Sequence, residues 1–246
     1  MRNMPQQIHV TAALLAIASG VALPTRTAAQ GATSGAFITM LGKDTVAVEQ
    51  FTRTGNVLTG DYVARPGGTV VNHYVMRFDV NNMPTRLELT QQRGDGKPIP
   101  NGPTSVVLTV GDNESTVVIQ RDTAITRKFA VTQPYPLLGT SLAMFEIAFS
   151  KLRMARADST SFAGLPLNAQ LLPDPVQVRF FAADSARVIS AEGPVYMKVD
   201  ASGRILGMRS GSAEAPVSAH RVNAIDLRKI IAGFAAADAA GRGIRR

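Results

Sequence analysis

Between Val70 and Gln92 the chain alternates apolar and polar side chains with a period of two. Tyr74, Met76 and Phe78 fall on one face, with His73, Arg77 and Asp79 on the other. After a break at Val80-Asn81-Asn82, Leu87 and Leu89 oppose Arg86 and Glu88. Successive strand residues point to opposite sides, so this rhythm marks strands that bury one face of a sheet. Asn and Gly accept the positive φ of tight turns, and they recur at Gly67-Gly68, Gly111-Asp112-Asn113 and Ala201-Ser202-Gly203. Connections this short join antiparallel neighbours, because a parallel pair needs a crossover of roughly a dozen residues.

The same reading predicts strands at 36–41, 45–54, 57–65, 105–110, 116–122 and 125–131, and later at 176–181, 186–191, 195–200, 204–209 and 217–222. Two helices interrupt them. Leu138, Leu142, Phe145, Phe149 and Leu152 form a helical stripe within 138–153, with Thr140 or Ser141 as its cap. Leu227, Ile230, Ile231 and Phe234 form another within 224–239, with Asn223 as its cap. The fold class is therefore mainly β: one large curved antiparallel meander, open or half-barrel, with two helices. A two-layer β-sandwich is the alternative, and residues 30–246 form a single domain.

The first twenty-nine residues read as an address. Arg2 precedes an apolar run from Val10 to Leu23, then Pro24 and the small residues of Thr27-Ala28-Ala29. That order is a secretory signal peptide, and the run is too short to span a bilayer, which takes roughly twenty residues. The expected mature chain starts at Gln30 or Gly31, exported to a periplasmic or extracellular location. No later segment is long and apolar enough to span, so no transmembrane segment is expected in it.

The chain has no cysteine. Disulfides, thiolate metal sites and cysteine nucleophiles are thereby excluded, and the apolar core alone must hold the fold. The formal charge of +8 falls to +6 once Arg2 and Arg26 leave with the signal peptide. Most cations alternate with apolar residues along strands and read as solvated faces. With no Trp and four Tyr, the stacking platforms that bind bases are scarce, and no nucleic-acid partner is expected.

Chemistry-bearing motifs are sparse. His73 and His220 sit in separate predicted strands without a neighbouring histidine, so no metal site is predicted. Gly139-Thr140-Ser141-Leu142-Ala143 resembles half of a nucleophile elbow, but Ala143 replaces the second glycine and a proline-rich segment leads into it. Ser141 reads as a helix cap. Glu49 shares a face with Phe51 and Arg53 and reads as half of an edge-strand charge pair. No catalytic residue and no cofactor are predicted.

Adjacent apolar pairs (Val70-Val71, Val106-Val107, Val117-Val118, Phe180-Phe181) put bulk on both faces of several strands. Either a second layer covers the other face or the concave side holds something apolar. Met40, Met76, Met83, Met144, Met154, Met197 and Met208 add adaptable surface. The expected ligand-binding residues are Tyr74, Met76, Phe78, Leu87 and Leu89 on the sheet, closed over by Leu142, Phe145 and Phe149 of the first helix.

The signal peptide, the cysteine-free meander and a helix inserted after about the eighth strand resemble the periplasmic half-barrel proteins, which include lipoprotein carriers and glycolipid-binding families. The resemblance implies a curved sheet whose open side, covered by helices, shelters acyl chains. The carriers' conserved arginine and loop have no counterpart identified in this sequence, so no site residue is carried over. The expectation is an exported, non-enzymatic protein that binds an apolar or lipid-like ligand. The alternatives are a module that docks on another envelope protein without a ligand, and a hydrolase.

Overall fold

A computed structural model describes residues 32–131, 133–167, 171–191, 193–210 and 216–241. The expected signal peptide, residues 1–29, and the C-terminal residues from 242 onward lie outside the described residues. The first half of the chain supplies β1 (Thr33–Leu41), β2 (Asp44–Thr54), β3 (Val57–Ala64), β4 (Val70–Phe78), β5 (Pro84–Arg93), β6 (Ser105–Val110), β7 (Ser115–Gln120) and β8 (Ala124–Phe129). After β9 (Tyr135–Leu137) and helix α1 (Ala143–Met154) come β10 (Ser159–Pro166), β11 (Asp174–Ala182), β12 (Ser185–Ser190), β13 (Gly193–Val199), β14 (Ile205–Ser210), β15 (Val217–Val222) and helix α2 (Leu227–Ala239).

All fifteen strands belong to one sheet, ordered β8 to β1, then β15 down to β9. Every pairing is antiparallel except the short parallel pair of β9 with β10. Two meandering arms thus meet where β1 pairs with β15, from Ala36 opposite Val222 to Leu41 opposite Val217. The two-layer alternative is not what forms, because this seam fuses both meanders into a single sheet. The outer strands β8 and β9 are neighbours in sequence, and the five residues 130–134 between them span at most roughly 20 Å. A flat sheet of this width would hold its edges much farther apart, so the sheet has to roll. Strand twist supplies the roll, helped by bulges in the pairings at Thr39/Met40, Arg77/Phe78, Phe180/Ala182 and Lys198/Val199. The sheet is strongly curved but not closed.

Helix α1 lies inside the roll. Ala143, Met144, Glu146, Ile147, Ala148, Phe149 and Leu152 are all buried, so the helix is enclosed on more than one side. It joins Phe37, Phe51, Leu58, Tyr62, Tyr74, Met76, Phe78, Leu87 and Leu89 in the main apolar core. Helix α2 lies on the opposite, convex surface. Its Leu227, Ile230, Ile231 and Phe234 pack on Val48, Val63 and Val71 of β2 to β4. The backbone of Thr69 also donates to Asp238 at 2.7 Å, fastening the far end of α2 to the turn before β4.

Several local expectations need correction. Helix α1 begins five residues later than Leu138, and its first residue follows Leu142 without a local side-chain cap. Helix α2 is capped by Asp226, whose carboxylate accepts from the Lys229 N–H at 3.0 Å, in place of Asn223. Strands β9 and β10 fall where Pro134, Pro136 and Pro166 obscure the alternation. Proline is tolerated at a sheet edge, and β9 is the edge.

Candidate ligand cavity

Two buried carboxylates fix helix α1 inside the sheet. Glu49 of β2, 2 % exposed, points at the helix N-terminus. Its Oε2 accepts the Leu142 and Ala143 backbone N–H groups at 2.8 and 3.1 Å. Its Oε1 accepts the Ser141 hydroxyl at 2.5 Å and the Tyr74 hydroxyl at 2.8 Å. The first amides of a helix have no partner within it, and they carry the positive end of its dipole. A carboxylate from a strand 93 residues away therefore does what Thr140 or Ser141 was expected to do. Glu49 is not an edge-strand charge paired with Arg53, which instead bonds Asn82 at 2.5 Å and the Gly55 carbonyl at 3.1 Å. Gly60, directly across from Tyr74, makes room for this arrangement, since a Cβ there would lie 2.4 Å from the tyrosine oxygen. Burial raises the Glu49 carboxyl above the ordinary 4.5, against the opposing pull of its four donors.

The second carboxylate, Glu146, faces the seam between the arms. Arg221 of β15 donates to its Oε2 at 2.5 Å, and the Ile205 amide of β14 donates to the same oxygen at 3.0 Å. Arg221 also reaches the carbonyls of Ile205 and Ser34 at 3.2 and 3.3 Å and lies over the rings of Phe37 and Phe51. Gly35 of β1 leaves the space, because a Cβ there would sit 2.3 Å from the guanidinium. Burial raises the Glu146 carboxyl, and Arg221 draws it partly back. Tyr135 of β9 adds a third tie by donating to the Met144 carbonyl.

Held this way, α1 forms one wall of a cavity of about 500 Å³ against the concave face of β11 to β15. That volume is in the range of small-molecule sites, roughly 300–1,000 Å³. Its apolar wall consists of Leu142 and Phe145 from the helix, Leu137 and Leu167, and Val176, Val188, Val195, Met197, Met208 and Val217 from the strands. Met197 and Met208 stand directly opposite one another, as do Val188 and Val195. Thr140, Ser190, Ser210 and Asp174 supply a polar edge. The Asp174 carboxylate already accepts the Ala191 amide at 2.9 Å.

Of the residues singled out from the sequence, Leu142 and Phe145 reach this cavity. Tyr74, Met76, Phe78, Leu87, Leu89 and Phe149 lie in the packed core, each 2 % exposed or less. Met197 and Met208 are lining residues, whereas Met76 and Met144 are core and Met154 is exposed. Ser141 borders the cavity, but its hydroxyl is engaged by Glu49. His73 pairs with Asp61 at 2.9 Å on the exposed surface, and His220 is exposed as well. Among the described residues no group of three or more His, Asp or Glu side chains is placed to hold a metal ion, and no helix is long and apolar enough to cross a membrane.

No protein-family model matches the chain, and no curated protein matches it. The solved structures that this chain resembles include two proteins. One is a β-barrel-like protein of the domain of unknown function DUF1849 from Brucella abortus, with a TM-score of 0.52 at 9 % identity over 77 % of this chain and 95 % of that one. The other is a DUF1089 family protein from Pseudomonas aeruginosa, with a TM-score of 0.49 at 13 % identity over 67 % of this chain and 89 % of that one.

Proposed function

We propose that the chain is an exported, non-enzymatic protein that holds an apolar or lipid-like ligand between helix α1 and the concave face of β11–β15. The cavity of about 500 Å³ carries this reading. Its wall is mostly Val, Leu and Met, which reward the transfer of apolar area from water at about 25 cal/mol per Å². The paired Met197 and Met208 are unbranched and polarisable, so they adapt to an irregular chain or ring. Thr140, whose hydroxyl pairs with that of Tyr62 at 3.0 Å, and Ser190 and Ser210 give one edge a polar character that suits the polar end of such a molecule. The wall is preorganised: Glu49 and the Glu146–Arg221 pair fix α1, so binding need not order the helix. The β-barrel-like neighbour supports the architecture and names no ligand.

Native mass spectrometry of protein recovered from its own envelope tests the reading, together with titration of a fluorescent fatty acid. Co-purified lipid or saturable probe binding is expected. Neither, or a tightly held protein partner in place of lipid, would overturn it in favour of an interaction module. Export is tested separately by N-terminal sequencing. Gln30 or Gly31 is expected, and an intact Met1 on a membrane-retained form would overturn that part.

A further inference from the structure

The convex face of β11–β14 carries a second feature, independent of the cavity. In register across the strands, Arg179 stands opposite Arg187, Arg187 opposite Tyr196, and Tyr196 opposite Arg209. Lys198 lies two residues along the same face of β13. Like charges directly opposed in a ladder destabilise it. Elsewhere the sheet relieves such a pairing: Arg77 opposes Arg86, but Glu88 binds Arg86 at 2.7 Å and also acts on Arg77. Among the described residues no carboxylate pairs with Arg179, Arg187, Lys198 or Arg209. The nearest acid in the depression beside them, Asp184, accepts the hydroxyl of Ser185.

Phe181 and Tyr196 rise from the same face, 60 % and 49 % exposed, with their rings edge-to-face at 6.4 Å. They are the exposed aromatics among the described residues, and they touch. Uncompensated cations beside a bare Phe–Tyr pair form a surface that wants negative charge and a shallow apolar layer together. A bilayer interface offers both: anionic headgroups for the guanidinium groups and the upper acyl region for the rings. A soluble polyanion would satisfy the charges and leave Phe181 without a purpose. We propose that this convex face docks on an anionic lipid bilayer.

Co-sedimentation of the purified protein with vesicles tests this. Vesicles of equal parts phosphatidylglycerol and phosphatidylcholine should bind it, with affinity falling as salt rises, and pure phosphatidylcholine vesicles should not. Arg179→Gln with Arg187→Gln should weaken binding about 25-fold, near fivefold per charge. Phe181→Ser should weaken it several-fold at fixed charge. Arg121→Gln with Arg127→Gln, which removes the same charge from exposed sites elsewhere, should leave binding unchanged. Circular dichroism of each variant checks that it is folded. The proposal fails if mixed vesicles do not bind, if pure phosphatidylcholine binds equally, or if the Arg121/Arg127 variant loses as much as the Arg179/Arg187 variant. It also fails if heparin binds as tightly as the mixed vesicles and Phe181→Ser changes neither. None of these outcomes depends on whether the cavity takes a ligand.

Discussion

The two arms of the sheet present opposite concave faces to the same helix. In β2–β5 the inward positions carry Phe51, Leu58, Tyr62, Tyr74, Met76, Phe78, Leu87 and Leu89, and they pack with α1 in the main core. In β11–β15 the inward Val178, Phe180, Val199 and Ile205 join the same core, but the positions near the start of α1 carry Val176, Val188, Ser190, Val195, Met197, Met208, Ser210 and Val217, and a cavity remains there. Protein interiors pack at near-crystalline density, so the distance between sheet and helix has to be filled by side-chain volume or left empty. Residue size at these inward positions decides where sheet and helix meet and where a space is left. The convex faces differ too, since α2 covers β2–β4 and leaves β11–β14 bare.

Truncation on the full arm gives the largest expected effect. Phe78→Ala should cost roughly 3–5 kcal/mol, the loss typical of a packed Phe, without changing probe affinity. The opposite change on the empty arm, Val188→Phe with Val195→Phe, adds two rings to the void from directly paired positions. It should alter stability by less than about 1 kcal/mol, below the usual 1–3 kcal/mol of overpacking, and lower probe affinity at least tenfold. Urea denaturation and fluorescence titration check both. If the double variant is strongly destabilised, the space is not a true void. If Phe78→Ala abolishes binding while costing little, the container lies on the other arm.

Separating the arms should cost less. Arg221→Gln leaves Glu146 buried without its cation at the β1–β15 seam, for about 3 kcal/mol, the low end for breaking a buried pair. Glu146→Gln in the Arg221→Gln background should recover much of that loss. A double variant no better than Arg221→Gln would mean that Arg221 acts through its stacking on Phe37 and Phe51 instead.

Most of the sheet was legible because alternation is local. The strands at 105–110 and 217–222 have the expected bounds, and the other predicted strands shift by a few residues at most. The single roll was less so, because pairing of β1 with β15 joins residues far apart in sequence and no local pattern specifies it. The cap of α1 fails locally for the same reason: Glu49 looked like a surface charge until the fold brought it to Leu142 and Ala143. The cavity was hardest to read. Bulk in an alternating strand is conspicuous, and it pointed to Tyr74, Met76 and Phe78; a cavity is marked by missing bulk. Val188, Ser190 and Val195 look ordinary until set against the Phe, Tyr and Leu of the other arm.

The cap also gives a pH test of how the helix is held. Glu49 has its carboxyl raised by burial, so the folded state holds its proton more tightly than the unfolded chain does. Its contribution is then fully present below the unfolded value and is lost as pH rises through the folded one. Glu49→Gln keeps a carbonyl for the two amides, and its –NH₂ can donate to reoriented Ser141 and Tyr74 hydroxyls, so its cost should stay within about 1 kcal/mol. The stability of wild type minus that of the variant should fall as pH rises from about 4.5. A difference that grew with pH would mean that the four donors outweigh burial.

Helix α2 offers the smallest and most selective test of whether the two surfaces of the sheet are independent. Asp226 is its one side-chain cap, and Asp226→Ala would leave the Lys229 amide to water. The helix has no fully buried residue, so its first turn can fray without opening the main core. The expected loss is about 0.5–1 kcal/mol, toward the lower part of the range for N-caps. Its contact surface, Val48, Val63 and Val71, belongs to the full arm, whose concave side is already packed against α1. Fraying on the convex side should therefore leave both probe uptake and vesicle binding unchanged. A loss of probe binding in this variant, with overall stability nearly intact, would show that the outer helix sets the curvature of the sheet and through it the width of the cavity.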